Sequence, residues 1–202
     1  MEGFLPGSGH VIAPEEAYGP AAKPGQKKVI LWSRAPWTEI DRHGSAGLPP
    51  GRFVRGVTET VIGLVDVIGV CVPYHMANVS FGRRDRRPWE DHLAYLGGLQ
   101  DIVAQSLSPL PTILLGDFNQ RVPRMGAPER VQNALLNTLG DLLSVGTAGR
   151  LPGLDEQHVD HLAHSPDLTV CGLLGLPRID AAGLELCDHP GVFVELARTD
   201  RA

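Results

Sequence analysis

Apolar and polar positions along this chain fall into short runs, and most of the runs have the character of strands. Residues 10–13 (HVIA) and 28–33 (KVILWS) are compact apolar stretches, and Pro36, which has no N–H and restricts Ala35, ends the second. Residues 53–61 and 65–73 are rich in β-branched side chains and flank Gly63, which predicts a hairpin. A different period follows. Trp89, Leu93, Leu96, Leu99, Ile102, Val103 and Leu107 recur every three or four positions, predicting a helix over 88–107 that Pro88, Glu90 and Asp91 help to start. Residues 111–119 (PTILLGDFN) read as a buried strand running straight into polar residues. Val131, Leu135, Leu139 and Leu142 predict a second helix over 127–143, and short strands are predicted at 159–163, 168–171 and 192–196.

Strands interrupted twice by helices predict a layered α/β arrangement in which sheets pack on one another and helices cover them. The 24 glycines and 17 prolines argue against a plain helical bundle, and punctuate residues 1–28 so heavily that this stretch reads as connecting chain. With 202 residues, no internal repeat and no evident linker, one domain over 1–202 is expected. A net charge of −5 gives no global attraction to nucleic acid or an anionic membrane, so any phosphate must be gripped locally. Three widely spaced cysteines, Cys71, Cys171 and Cys187, suit neither a disulfide framework nor a thiolate zinc cage, and point to a reducing, cytoplasmic setting. No run has the length and apolarity of a membrane span or a leader, and no obligate protein partner is evident.

Three segments carry candidate chemistry. In Ile113-Leu114-Leu115-Gly116-Asp117-Phe118-Asn119 an apolar strand delivers an acid and an amide to its C-terminal end; two positions apart on an extended chain, they share one face. Alone, the same residues serve equally as an Asx turn closing a strand. Near the C-terminus stands Asp188-His189, pairing an oxygen ligand for a hard cation with the side chain best suited to proton transfer near neutral pH. The third segment, His158-Val159-Asp160-His161-Leu162-Ala163-His164, invites a zinc reading. Strand alternation opposes it, because His158 and Asp160 then share a face that His161 does not.

In this order and strand context, the three segments resemble the endonuclease/exonuclease/phosphatase family of deoxyribonuclease-like phosphodiesterases. The likeness runs from about residue 28 to 196 and extends to Ser33-Arg34-x-Pro36 and to the hairpin leading into Val72-Pro73-Tyr74-His75. It implies a four-layer α/β/β/α sandwich with the site at one edge of two packed sheets. It also implies a Mg²⁺-dependent phosphoester hydrolase, with Mn²⁺ as the alternative ion. By the resemblance, Asp188 ligates the metal, and His189 contacts the attacked phosphate or assists the water while Asp160 holds its tautomer. Asp117 orients or deprotonates the water, Asn119 donates to the phosphate, and His75 or Tyr74 contacts a nonbridging oxygen.

One departure matters. The family's first strands, which carry an Asn and a metal-binding Glu, have no counterpart ahead of residue 28, and Glu2 sits on no strand, so no ligand role passes to it. The expectation is therefore an N-terminally incomplete sandwich, with Met1 an internal methionine of a longer frame. The alternative is an inactive family member. A nuclease-type phosphodiesterase is the leading reading, with a lipid or inositol phosphatase of the same family behind it. Arg121 and Arg124 are candidate phosphate grips, as are Arg83, Arg84, Arg86 and Arg87, although such a run usually faces water. At 5% aromatic residues, no base-stacking array is expected.

Overall fold

The computed structural model describes residues 9–18, 23, 26–78, 85–105 and 109–199. Strands β1 (His10–Ile12) and β2 (Leu31–Ser33) form an antiparallel pair. Strands β3 (Trp37–Asp41), β4 (Phe53–Thr60), β5 (Gly63–Cys71) and β6 (Thr112–Asp117) come next, with helix α1 (Glu90–Gln105) between the last two. Helix α2 (Glu129–Leu139), β7 (Ser144–Val145), β8 (Asp160–His164), β9 (Leu168–Leu176) and β10 (Gly191–Arg198) complete the order. The central sheet has six strands in the order β3–β4–β5–β6–β8–β7, and β9 and β10 form a second antiparallel pair.

The parity of β5 explains the layers. Ile68, Val70 and the following Val72 point into one core with Tyr95, Leu96, Leu99 and Val103 of α1 and Leu135 and Leu139 of α2. Val65, Val67 and Cys71 point the other way, into a second core with Ile12, Val29 and Leu31. Both faces are covered, so β5 reads as a nearly continuous apolar run, as a strand with a parallel neighbour inside an α/β sheet should. Among the described residues both α-helices lie on the same side of the central sheet, and no helix covers the outer face of the β1–β2 layer. The one acid inside β5, Asp66, is fully buried and takes a two-pronged grip from its diagonal neighbour Arg55, at 2.9 Å from Nε to Oδ1 and 2.6 Å from Nη2 to Oδ2.

Several boundaries differ from the periodicity. Strand β3 follows Pro36 directly where only loop was expected; its side chains are mostly exposed, and as an edge strand it needs one partner and no alternation. Helix α2 stops at Leu139 because Gly140 turns to φ +55°, so Leu143 enters the core from a loop. Strand β9 continues through Gly172, which reads as a break in sequence; there the Glu195 side chain of β10 packs against the bare backbone, next to a bulge. Leu107, at the end of the predicted first helix, lies outside the described residues.

Candidate active site

The site is assembled at the C-terminal end of the parallel pair. In register, Cys71 lies beside Asp117, and Asp117 lies beside Asp160 of the antiparallel β8, so three neighbouring strands bring one row of side chains to a single sheet edge. Gly116 makes the approach possible. It adopts φ +135°, and a Cβ there would stand 2.0 Å from the Val70 carbonyl oxygen, so only glycine lets β6 deliver Asp117 at this height.

Beyond Asp117 the chain turns left-handed at Asn119, φ +50°, a conformation an Asx turn sustains. The Asn119 backbone N–H donates to Asp117 Oδ1 at 2.8 Å. Its side-chain amide donates to Asp117 Oδ2 at 2.6 Å and to the Val72 carbonyl at 2.8 Å, which commits both amide hydrogens. Asn119 is therefore a clamp on Asp117, and its amide has no hydrogen left for the phosphate contact expected from the resemblance.

His189 enters from the loop before β10, and its Nδ1 lies 2.6 Å from Asp160 Oδ2. That contact leaves Nε2 as the outward nitrogen, 3.4 Å from Asp188 Oδ1. Ligand atoms of Asp117, Asp160 and His189 all lie within 4.8 Å of one another. Asp188 stands at the rim with an 89% exposed side chain. Burial pushes the Asp117 carboxyl up to about 6, against the bond from Asn119 and with the Asp160 carboxylate adding to the rise. Burial also raises Asp160, with His189 opposing. Burial works against the charged form of His189, but the carboxylates of Asp160, Asp117 and Asp188 outweigh it and raise this imidazole above its ordinary value. A hydrogen bond from the Cys187 thiol holds the Asp188 carboxyl low.

The other predicted residues that the structure describes have partners of their own or stand exposed. Tyr74 and His75 are exposed on the loop after β5, two and three residues on from Val72, whose carbonyl anchors Asn119. Arg121 donates to the Gln157 carbonyl and Arg124 to that of Ala127, which ties the loop after β6. Arg86 pairs with Glu90 and Asp91 at the start of α1, and Arg83 and Arg84 lie outside the described residues, as does Glu2. The three histidines of the zinc reading do not converge as a ligand group among the described residues. His161 lies between the Thr147 hydroxyl and the Gln120 carbonyl; the carbonyl can only accept, so the neutral ring carries its proton on Nε2, and Nδ1 accepts from the Thr147 hydroxyl, whose oxygen accepts from Leu162 N–H. His158 packs against that ring at 4.6 Å, because it precedes β8 and escapes strand alternation.

Sequence reasoning missed an aromatic row. The rings of Tyr74, His75, Trp89 and His92 meet in succession at 6.0, 5.5 and 5.0 Å, and Trp89 adopts φ +72°. The composition holds few aromatics, but folding gathers these beside the site. Only the proximity of Trp89 to the predicted helix start hinted at it.

No protein-family model matches the sequence, and no curated protein matches it. Solved structures do. A 3′ phosphatase from Neisseria bound to a product DNA hairpin superposes with a TM-score of 0.62 at 15% identity, covering 83% of this chain and 74% of that one. The fold is that of the endonuclease/exonuclease/phosphatase structures. An endonuclease/exonuclease/phosphatase from Bacteroides vulgatus (TM-score 0.57, 12% identity, 84% and 70% covered) shares it. So does TDP2 from D. rerio complexed with a single-strand DNA product (0.53, 12%, 83% and 71%). Identities this low establish the endonuclease/exonuclease/phosphatase fold, as the sequence resemblance implied, and leave the chemistry to the residues above.

Proposed function

We propose that the protein hydrolyses phosphoester bonds with the help of a divalent cation, most plainly as a nuclease-type phosphodiesterase. The observation that carries this reading is the 2.6 Å contact between Asp160 and His189 beside the raised carboxyl of Asp117, at the edge where three strands end. Two carboxylates and an imidazole within 4.8 Å, with Asp188 at the rim, are a donor set that fits a hard cation; Mg²⁺ is commonly held by one or two carboxylates and keeps several waters. Asp188, with Asp160 or Asp117, would hold it, and Mn²⁺ suits the same oxygens. When bound, the ion supplies charge stabilisation to phosphoryl oxygens.

The chain's own residues supply the rest. Asp160 fixes the ring of His189 and keeps a proton on Nδ1, so that Nε2 faces the substrate. Asp117, ionised at neutral pH yet more basic than a solvated carboxylate, accepts a proton from the attacking water. Asn119 is a positioning residue that orients Asp117, and the loop bearing Tyr74 and His75 borders the phosphate. The aromatic row and the DNA products bound to two structures of this fold favour a nucleic-acid substrate. Among the described residues no helix is long and apolar enough to cross a membrane, and three free thiols suit a cytoplasmic location.

Turnover of a generic phosphodiester and of single-stranded DNA, with Mg²⁺ and with chelator, tests this. Cleavage should require the cation and fall about 10²- to 10⁴-fold in His189→Ala. Turnover unaffected by chelation or by that substitution would refute the proposal.

A further inference from the structure

Beside the centre, Cys187, Asp188 and His189 present a second set of donors. Asp188 Oδ1 lies 3.3 Å from Cys187 Sγ and 3.4 Å from His189 Nε2, and the three donor atoms are all within 4.8 Å of one another. A tetrahedral zinc ion with bonds of about 2.0–2.3 Å keeps its donors about 3.4–3.6 Å apart, so two of the three separations already stand close to ligating distance. The imidazole is also prepared for a metal. Asp160 accepts a hydrogen bond from the His189 Nδ1–H and aims Nε2 outward, the carboxylate–histidine arrangement that orients zinc-ligating rings. The set is accessible, since Cys187 and Asp188 are exposed.

We propose that Cys187, Asp188 and His189 form a binding site for a thiophilic dication such as Zn²⁺, and that its occupation switches the neighbouring centre off. On binding, the Cys187 S–H bond breaks and its proton leaves to solvent; Sγ, Oδ1 and the unprotonated Nε2 bond to the ion, and water fills the fourth position. No oxidation state changes. A thiolate selects Zn²⁺ or Cd²⁺ over Mg²⁺, which prefers oxygen, so Cys187 gives the loop a preference that a carboxylate and an imidazole alone would lack. Because the site takes Asp188 and His189, the ion occupies the nitrogen that faces substrate and the carboxylate offered to Mg²⁺. Binding stands whatever reaction the centre runs; the loss of turnover rests on the hydrolase reading.

Cd²⁺ titration of the intact chain without Mg²⁺, followed by thiolate-to-metal charge-transfer absorption, tests binding directly. One equivalent should produce the band. Cys187→Ser, which can keep a donor to Asp188, should abolish it and lower Zn²⁺ affinity by more than about tenfold. Cys171→Ser, which removes the other exposed thiol, should change nothing. Asp160→Asn should weaken binding by about 10- to 100-fold. A band that survives Cys187→Ser, or vanishes in Cys171→Ser, or keeps its affinity in His189→Ala, overturns the site. A normal band in a protein with no turnover sustains the site and overturns the hydrolase reading instead.

Discussion

At the scale of single residues, the chemistry depends on how Asp117 and His189 are held. Asn119 spends both amide hydrogens on that task; Asn119→Ala keeps the backbone N–H bond that lowers the Asp117 carboxyl but removes the amide donor to Oδ2, so it should raise the Asp117 pKa further above its ordinary value. Carboxyl ¹³C titration of the metal-free protein checks this; an unmoved midpoint would show that Asn119 does not tune Asp117. Asp160→Asn should leave the fold intact and lower turnover by about 10²- to 10⁴-fold by releasing the His189 ring, with the pH profile changed as well as the rate. The sequence exposed these residues because a strand ending in Gly-Asp-Phe-Asn, a strand with Asp160 and an adjacent Asp-His follow one another in an order that is specific, although each piece alone is not. It could not expose the clamp. Whether an asparagine amide faces substrate or its own strand depends on a left-handed turn and on a carbonyl 47 residues away.

At the scale of elements, β5 and β6 carry the site, and two features keep them in place. Gly116→Ala would drive a Cβ into the Val70 carbonyl from a disfavoured backbone angle, and should cost about 3 kcal/mol or more in denaturant unfolding. Arg55→Ala would leave Asp66 buried without its partner and should cost about 3–5 kcal/mol, more than the loss of any surface pair. A change below about 1 kcal/mol in either variant would show that the strand pair does not need it. The buried strands and both helices were legible because burial on both faces leaves continuous apolar runs and helical faces leave a period of three to four. Strand β3 was not legible, since an edge strand with exposed side chains carries no such signature. Nor was the length of β9, where a glycine read as a break accommodates Glu195.

At the scale of the whole molecule, layers of different character surround the central sheet. Helices seal one face of the central sheet, while Leu174, Leu176 and Phe193 of the separate β9–β10 pair remain about half exposed. The layered plan was legible from element order, but the partition into two cores was not, because it depends on which parity of β5 meets which neighbour. Burial also sets an acid limit on stability. His92 and His161 are buried, and desolvation lowers each to about 4, so the unfolded chain binds more protons than the folded one between about pH 6.5 and 4. Each histidine therefore makes stability fall as pH drops through that window, by up to about 1.4 kcal/mol per pH unit, with the raised carboxyl of Asp117 opposing part of the loss below about pH 6, and His161→Gln should flatten the slope of unfolding free energy against pH. The most direct test of the central claim is the relaxation of backbone amide signals on adding Mn²⁺ without substrate. Selective broadening of residues 117–119, 160 and 188–189 is the predicted result; broadening centred elsewhere, or none at a saturating concentration of the ion, would contradict the account.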